Sequence, residues 1–338
     1  MFGVFAVITI FGGFSSSSVR ASVIPGNDVP FPQQIARDLD RNSDLDFYGF
    51  KGIVRQEIPA VPITDCFFTV SQSGRYVYKA VDGTETVCGI YVFTEPDEVV
   101  EFSFPHMDVP CNGIDLIGVV DGWELNGQYF PSGSDHHLSL DKRSSEFCGR
   151  KNLKTYTSSQ NVALVQYRIP TVGKGFVVSI KFRKNLQPCN VVASSLTEPF
   201  TLRNFGRRVN CTFVAIYPAV VRIDALDVGS KRLRGTAFPE SETGIIHQCD
   251  KRGSKDQVQI GGTSGLDTTE VEILDTICGV DSRPTRSSKI IDCEVTTVRL
   301  VSTGKYDNAI TITAEPADGK EKVDADLTCG LNVIHAAE

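Results

Sequence analysis

Hydrophobic and polar residues alternate through most of this chain. In Glu98-Val99-Val100-Glu101-Phe102-Ser103-Phe104, the residues Val100, Phe102 and Phe104 share one face while Glu101 and Ser103 take the other. That period of two is what a half-buried strand imposes on a sequence. Phe176-Val177-Val178-Ser179-Ile180-Lys181-Phe182 repeats it. Further runs are continuous and β-branched: Ile114–Val120, Val162–Arg168, Val220–Ile223, Val298–Val301 and Ile310–Thr313. Turn pairs such as Asp82-Gly83, Asn112-Gly113, Asp121-Gly122, Asn126-Gly127 and Gly261-Gly262 separate them. No long 3.6-residue period interrupts this order, so the pattern predicts an all-β protein built of sandwiches.

The strand set ends at Arg183-Lys184-Asn185-Leu186-Gln187-Pro188 and a second begins at Cys189. We therefore expect two domains, 61–185 and 186–332, joined by a short seam, which suits a chain of 338 residues at about 100–200 per domain. Each half has a short cysteine loop near its start, and the two read as diverged copies of one plan. Ahead of them, Phe2–Phe11 is apolar, Ser15–Ser18 is polar and small, and Val19-Arg20-Ala21 suits cleavage. This predicts a secretory signal peptide over 1–21, because the run falls short of the about 18 apolar residues a span requires. Residues 22–60 form a polar arm crowded with Asp38, Asp40, Arg41, Asp44 and Asp46. No later segment is apolar enough to cross a bilayer, so the expected product is secreted and extracellular, with no membrane partner.

Composition narrows the partners further. With Lys+Arg at 34 against Asp+Glu at 41 and a net charge of -7, the chain lacks the basic footprint that nucleic acid requires. The 10 cysteines, none of them before residue 66, are expected to pair in an oxidising compartment. Sequence permits about 945 connectivities. Pairing neighbours closes loops of about 20 to 40 residues, each worth about 3–4 kcal/mol in the chain-entropy account. Asn210-Cys211-Thr212 is a candidate glycan acceptor.

Catalytic patterns are missing. His106 and His247 lack an HExxH partner, and Gly262-Thr263-Ser264-Gly265 lacks the second glycine of a nucleophile elbow. Gly173-Lys174 has no glycine at the spacing of a phosphate loop, and paired cysteines leave no thiolate. We expect no enzyme and no cofactor. Asp135-His136-His137 reads as a solvated loop rather than a metal site. Trp123 reads as a plug at one end of a sandwich core, with a docking patch of Trp123, Tyr129 and Phe130 as the alternative.

Specific blocks add a resemblance. Cys66 with Cys88, then Cys111-Asn112-Gly113-Ile114-Asp115-Leu116, Val120-Asp121-Gly122, Phe147-Cys148-Gly149, Ser158–Leu164 and Gly175-Phe176 follow the order of a CUB domain, an extracellular jelly-roll sandwich. More finely, Asp121-Gly122-Trp123, Tyr129-Phe130-Pro131-Ser132, Ser158–Ala163, Pro188-Cys189-Asn190-Val191, Asn210–Phe213, Gly261-Gly262-Thr263 and Val298–Ser302 resemble the corticotropin-releasing factor-binding protein family. The resemblance implies two CUB-like jelly-roll β-sandwiches. It implies consecutive pairing, Cys66–Cys88, Cys111–Cys148, Cys189–Cys211, Cys249–Cys278 and Cys293–Cys329, and a genuine acceptor at Asn210. It also implies that the chain sequesters a CRF-like peptide hormone and limits its receptor signalling; the alternative is an extracellular module with another protein ligand. Charged residues flanking the first cysteine are tied to peptide binding in that family, but Pro62 and Phe68 stand at the aligned positions here. The candidate peptide-binding residues are accordingly Arg55, Asp65 and Phe68. Many CUB domains hold calcium on three acids, one in the loop that here reads Ile169-Pro170-Thr171-Val172-Gly173 without an acid, so no metal is expected.

Overall fold

The computed structural model describes residues 59–193, 196–230, 242–284 and 288–330. The expected signal peptide, the arm as far as residue 58 and Arg55 lie outside the described residues.

Short, β-branched and aromatic segments bounded by glycine and asparagine turns form twelve strands in the first half. They are β1 (Val61–Pro62), β2 (Phe67–Val70), β3 (Gly74–Lys79), β4 (Cys88–Phe93), β5 (Glu98–Asp108), β6 (Leu116–Val120), β7 (Trp123–Leu125), β8 (Gln128–Phe130), β9 (Ser144–Phe147), β10 (Asn152–Thr157), β11 (Val162–Arg168) and β12 (Gly175–Lys184). A single helical turn, α1 (Leu140–Arg143), precedes β9. Two five-stranded sheets result, ordered β1-β3-β12-β5-β10 and β2-β4-β11-β6-β9, with β7-β8 as a separate hairpin. Their facing sides enclose a core. Val100, Phe102 and Phe104 of β5 are 0, 1 and 4% exposed, as the alternation predicts, and they meet Ile90, Val92 and Val165 from the other sheet. Each such side chain contributes about 1.5–3 kcal/mol by leaving water.

The second half runs through β13 (Val191–Ala193), β14 (Leu196–Arg203), β15 (Cys211–Ala215), β16 (Ala219–Val228), β17 (Gly244–His247), β18 (Gln257–Thr263), β19 (Glu272–Asp281), β20 (Ser288–Asp292), β21 (Val295–Val301), β22 (Ala309–Pro316) and β23 (Leu327–Thr328). Strand order exposes the duplication. β13-β15-β21-β18-β19 repeats β2-β4-β11-β6-β9, and β14-β22-β16-β20 repeats β3-β12-β5-β10. In the second copy β19 pairs with β18 and then with β16, which joins the layers at one edge. Both copies open with a parallel pair, β2 on β4 and β13 on β15. A disulfide clips each pair at its base, Cys66–Cys88 and Cys189–Cys211, with Cα atoms 4.5 Å apart in both. Cys111–Cys148, Cys249–Cys278 and Cys293–Cys329 complete the set, and no cysteine is free. Every bridge lies within one half.

β11 departs from simple alternation for a reason that leads to the site. Val162, Ala163, Leu164 and Val165 are all at most 1% exposed. Ala163 and Val165 belong to the first core, whereas Val162 and Leu164 point away from it into a different cluster. A strand buried on both faces needs cover on its outer side. The β7-β8 hairpin and the second half supply it.

Candidate functional site

The cover begins at the turn Asp121-Gly122. Gly122 has φ 117°, and a Cβ there would lie 2.2 Å from the Phe130 carbonyl oxygen, so only glycine lets the hairpin fold back this tightly. The fold-back lays Trp123 and Phe130 on Val120, Val162 and Leu164. Val192, Val214, Leu266 and Val295 of the second half close over them. The two sandwiches thus share a third core. Trp123 is 7% exposed and donates its indole N–H to the Val92 carbonyl at 3.1 Å. It does not plug the end of a sandwich core, as expected from sequence: it sits outside the sheet and packs between the halves, because the turn carries it across the outer face of β11.

Polar groups fix the docking. Asp135, in the loop after β8, has a side chain 0% exposed and receives Arg299 Nε at 2.9 Å and Arg299 Nη2 at 2.6 Å. Thr212, Thr268 and Asn210 also donate to its carboxylate, and the Asn190 amide donates to its backbone carbonyl. All of these partners come from the second half. Burial opposes the charge on Asp135, but the hydrogen bonds and charge of Arg299, with Thr212 and Asn210, outweigh it and hold the carboxyl below its ordinary value. Asn161 adds a reciprocal pair with Val192, accepting its N–H at 3.0 Å and donating to its carbonyl at 2.7 Å.

The solvated-loop reading of Asp135-His136-His137 is therefore incorrect for two of the three. Asp135 is 1% and His136 8% exposed, because the loop is pinned beneath the second half. His136 Nε2 lies 3.1 Å from Asp121 Oδ2, and Asp121 also accepts from Ser159 Oγ, the Ser159 amide and the Gln160 side chain. Burial works against the Asp121 charge; His136 and Ser159 overcome it and lower its pKa. His136 and Ser159 both bond the carboxylate, which stands between them, so this cluster lacks the serine–histidine–carboxylate order that activates a nucleophile. Among the described residues no group of three or more His, Cys, Asp or Glu side chains could hold a metal ion. No helix among them is long and apolar enough to cross a membrane.

Beside the shared core the halves leave an open apolar cleft of about 90 Å³. Phe67, Tyr91, Phe93 and Leu125 form one wall, and Val192, Ile216, Tyr217 and Leu266 the other. Tyr91 organises the first wall: Phe67 stacks on it with ring centroids 4.3 Å apart, Trp123 meets it edge-on at 6.0 Å, and its hydroxyl donates to the Glu124 carbonyl at 2.9 Å. Burial, with the Glu124 charge, raises the Tyr91 pKa to about 12, so the ring stays neutral and apolar. Phe67 is 43% exposed, and no charged side chain lines the cleft.

The structure places the sequence candidates unevenly. Phe68 turns inward against the first core, edge-on to Tyr76 at 6.2 Å, and Phe67 faces the cleft in its place, as alternation along β2 requires. Asp65 is exposed and two residues from Phe67, and it does not line the cleft. Asn210 is half-buried at the docking interface, with Nδ2 3.1 Å from Asp135 Oδ1. Period-two reading assigns Phe67 to the outer face of β2, but it cannot show that the opposite wall comes from a strand more than a hundred residues later.

Two disulfide-clipped sandwiches sharing a core, with an uncharged cleft along their junction, define a binding architecture. Comparison with known proteins specifies it. The corticotropin-releasing factor binding protein N-terminal domain matches residues 62–184, and the C-terminal domain of the same family matches residues 191–322. Corticotropin-releasing factor-binding proteins of Homo sapiens and Rattus norvegicus are 33% and 34% identical over 247 residues, 73% of this chain and 73% of each relative. The chain belongs to the corticotropin-releasing factor-binding protein family, which is a family of binding proteins rather than enzymes. The CUB1-EGF-CUB2 domains of rat MASP-1 overlap 74% of this chain and 100% of their own length at 9% identity, with a TM-score of 0.23. The fold described above rests on strand order, not on that overlap.

Proposed function

We propose that this protein is a secreted, extracellular binder that sequesters a CRF-like peptide hormone and so limits signalling at its receptor. The observation that carries the reading is the uncharged cleft between the halves in a chain of this family. A hormone of this class, an amphipathic helix when bound, would lay its apolar stripe against Phe67, Tyr91 and Leu266, the helix-in-groove mode. Sequestration then lowers free hormone by mass action and needs no chemistry. Five disulfides support an oxidising destination. A glycan at Asn210 would leave one amide hydrogen for Asp135 and take the place of the 3.4 Å bond to the Ser134 carbonyl.

Calorimetric titration of the full chain with a CRF-like helical peptide tests this, with a scrambled peptide as control. Submicromolar, sequence-dependent binding is expected. Truncating Phe67, a partly exposed aromatic anchor, to alanine is expected to weaken it by about 10–30-fold, on the scale of about 1.4–2 kcal/mol. Absence of heat with the hormone peptide, or binding that Phe67→Ala and Leu125→Asp both leave unchanged, would remove the cleft from the reading.

A further inference from the structure

A second concavity opens at the far edge of the first sandwich, where strands β9 and β10 end the two sheets. It encloses about 170 Å³ between them, with Phe102, Val119 and Ala163 at its floor. Its rim is different in kind from the apolar cleft. Lys142, Arg143 and Lys154 line it together with Ser145, Thr155 and Thr157.

Three features aim this rim at an anion. First, β10 carries a register shift between Asn152 and Tyr156, an edge bulge that contains Lys154. There Lys154 passes over the Tyr156 ring, 4.5 Å from its centroid, and Nζ reaches Ser145 Oγ on the opposite sheet at 3.4 Å. Second, Arg143 is 4% exposed and donates through Nε and Nη1 to the Asp121 and Pro131 carbonyls, while its Nη2 is buried without any hydrogen-bond partner. That buried guanidinium sets its positive charge against the Asp121 carboxylate of the same lining, so the carboxylate's charge is offset from within the fold. Third, the one carboxylate in the lining, Asp121, already has its oxygens taken by Ser159, Gln160 and His136.

Positive charge continues along the strand edge. Arg150 and Lys151 precede β10 and are exposed, Arg150 making only a 3.8 Å contact with Asp108. Lys151 and Lys154 are three residues apart, about 10 Å along an extended strand. A basic track on a chain of net charge -7 is a local device rather than a bulk property. Hydroxyls between the cations suit a polyhydroxylated ligand, and a run of charges along an edge suits a repeating one.

We propose that this edge binds a sulfated polysaccharide, with one sulfate seated between Lys142 and Lys154 and the chain extending past Lys151 and Arg150. The site is separate from the cleft, so a bound hormone and a bound polysaccharide need not compete. The test uses the full secreted chain and a heparin-derived hexasaccharide, followed by calorimetry at constant ionic strength, with inorganic sulfate in a parallel arm. The Lys142→Glu/Lys154→Glu double variant is expected to bind the hexasaccharide about tenfold or more weakly, and Lys320→Glu/Lys322→Glu, which changes net charge equally in the other half, within about twofold of the parent. An unchanged melting temperature in both variants is expected, since all four lysines are exposed. Equal loss in both doubles, no hexasaccharide binding, or inorganic sulfate binding as tightly as the hexasaccharide would each overturn the proposal.

Discussion

Replacing Asp135 by alanine is expected to lower the unfolding free energy at neutral pH by about 3–5 kcal/mol, the cost of stripping one partner from a buried ion pair. The substitution leaves the Arg299 guanidinium, 15% exposed, without its carboxylate and removes the acceptor of the Thr212 and Thr268 hydroxyls. Denaturant titration of the two proteins measures the difference. Its pH dependence follows from the lowered pKa of Asp135 in the fold. A depressed folded value means that the contribution is fully present above the unfolded carboxylate pKa, about 3.9, and is lost as pH falls through the folded value. The gap between parent and variant should therefore be constant from neutral pH down to about 5 and close progressively below about 4. A gap under about 1 kcal/mol, the scale of an exposed pair, would show that Asp135 does not hold the interface.

Trp123→Ala is expected to cost about 3–5 kcal/mol, the range for deleting a buried aromatic. The loss combines the cavity between the halves, the edge contacts to Tyr91 and Phe93, and the bond to the Val92 carbonyl. Because Trp123 and Asp135 stabilise the same docked arrangement, the double variant should lose less than the two single losses added together. The chain has 1 Trp, so its emission reports directly on this junction, and in Asp135→Ala it should shift red ahead of the global transition. Strictly additive losses would mean that the two residues stabilise separate halves and that the shared core is not a cooperative unit.

The strands themselves were readable because each obeys a local rule. Val100, Phe102 and Phe104 alternate inward, and Phe176, Val178 and Ile180 do the same at 1, 0 and 1% exposure. The duplicated cysteine loops likewise pointed to two copies of one plan, though not to the parallel pair that opens each copy. What local pattern could not convey is what lies on the second face of a strand. Val162–Val165 reads as a buried run, yet nothing in it says that its outer side belongs to a neighbouring sandwich. Asp135 fails as a prediction for the same reason: acid, two histidines and serines compose a loop by every compositional measure, and the residue that neutralises it is 164 positions away. Arg299 falls between the buried Val298 and Leu300, on the opposite side of a period-two strand. The same alternation holds, but the side it faces is an interface. The motifs that carried the family resemblance, Asp121-Gly122-Trp123, Ser158–Ala163 and Cys189-Asn190, converge on that junction, and Trp123 also lines the cleft beside it.

The confinement of every disulfide to one half has a consequence for how the molecule would meet a protease. Only the peptide chain through Lys184-Asn185-Leu186-Gln187-Pro188 links the sandwiches covalently, and Leu186 within it is 89% exposed. As long as it is whole, the halves meet at an effective concentration that a short tether keeps near millimolar or above. One proteolytic cut there would turn docking into an encounter between two separate fragments, governed by their dilution. The cleft has one wall on each fragment, so a single nick would take the cleft apart without disturbing either disulfide-bonded core.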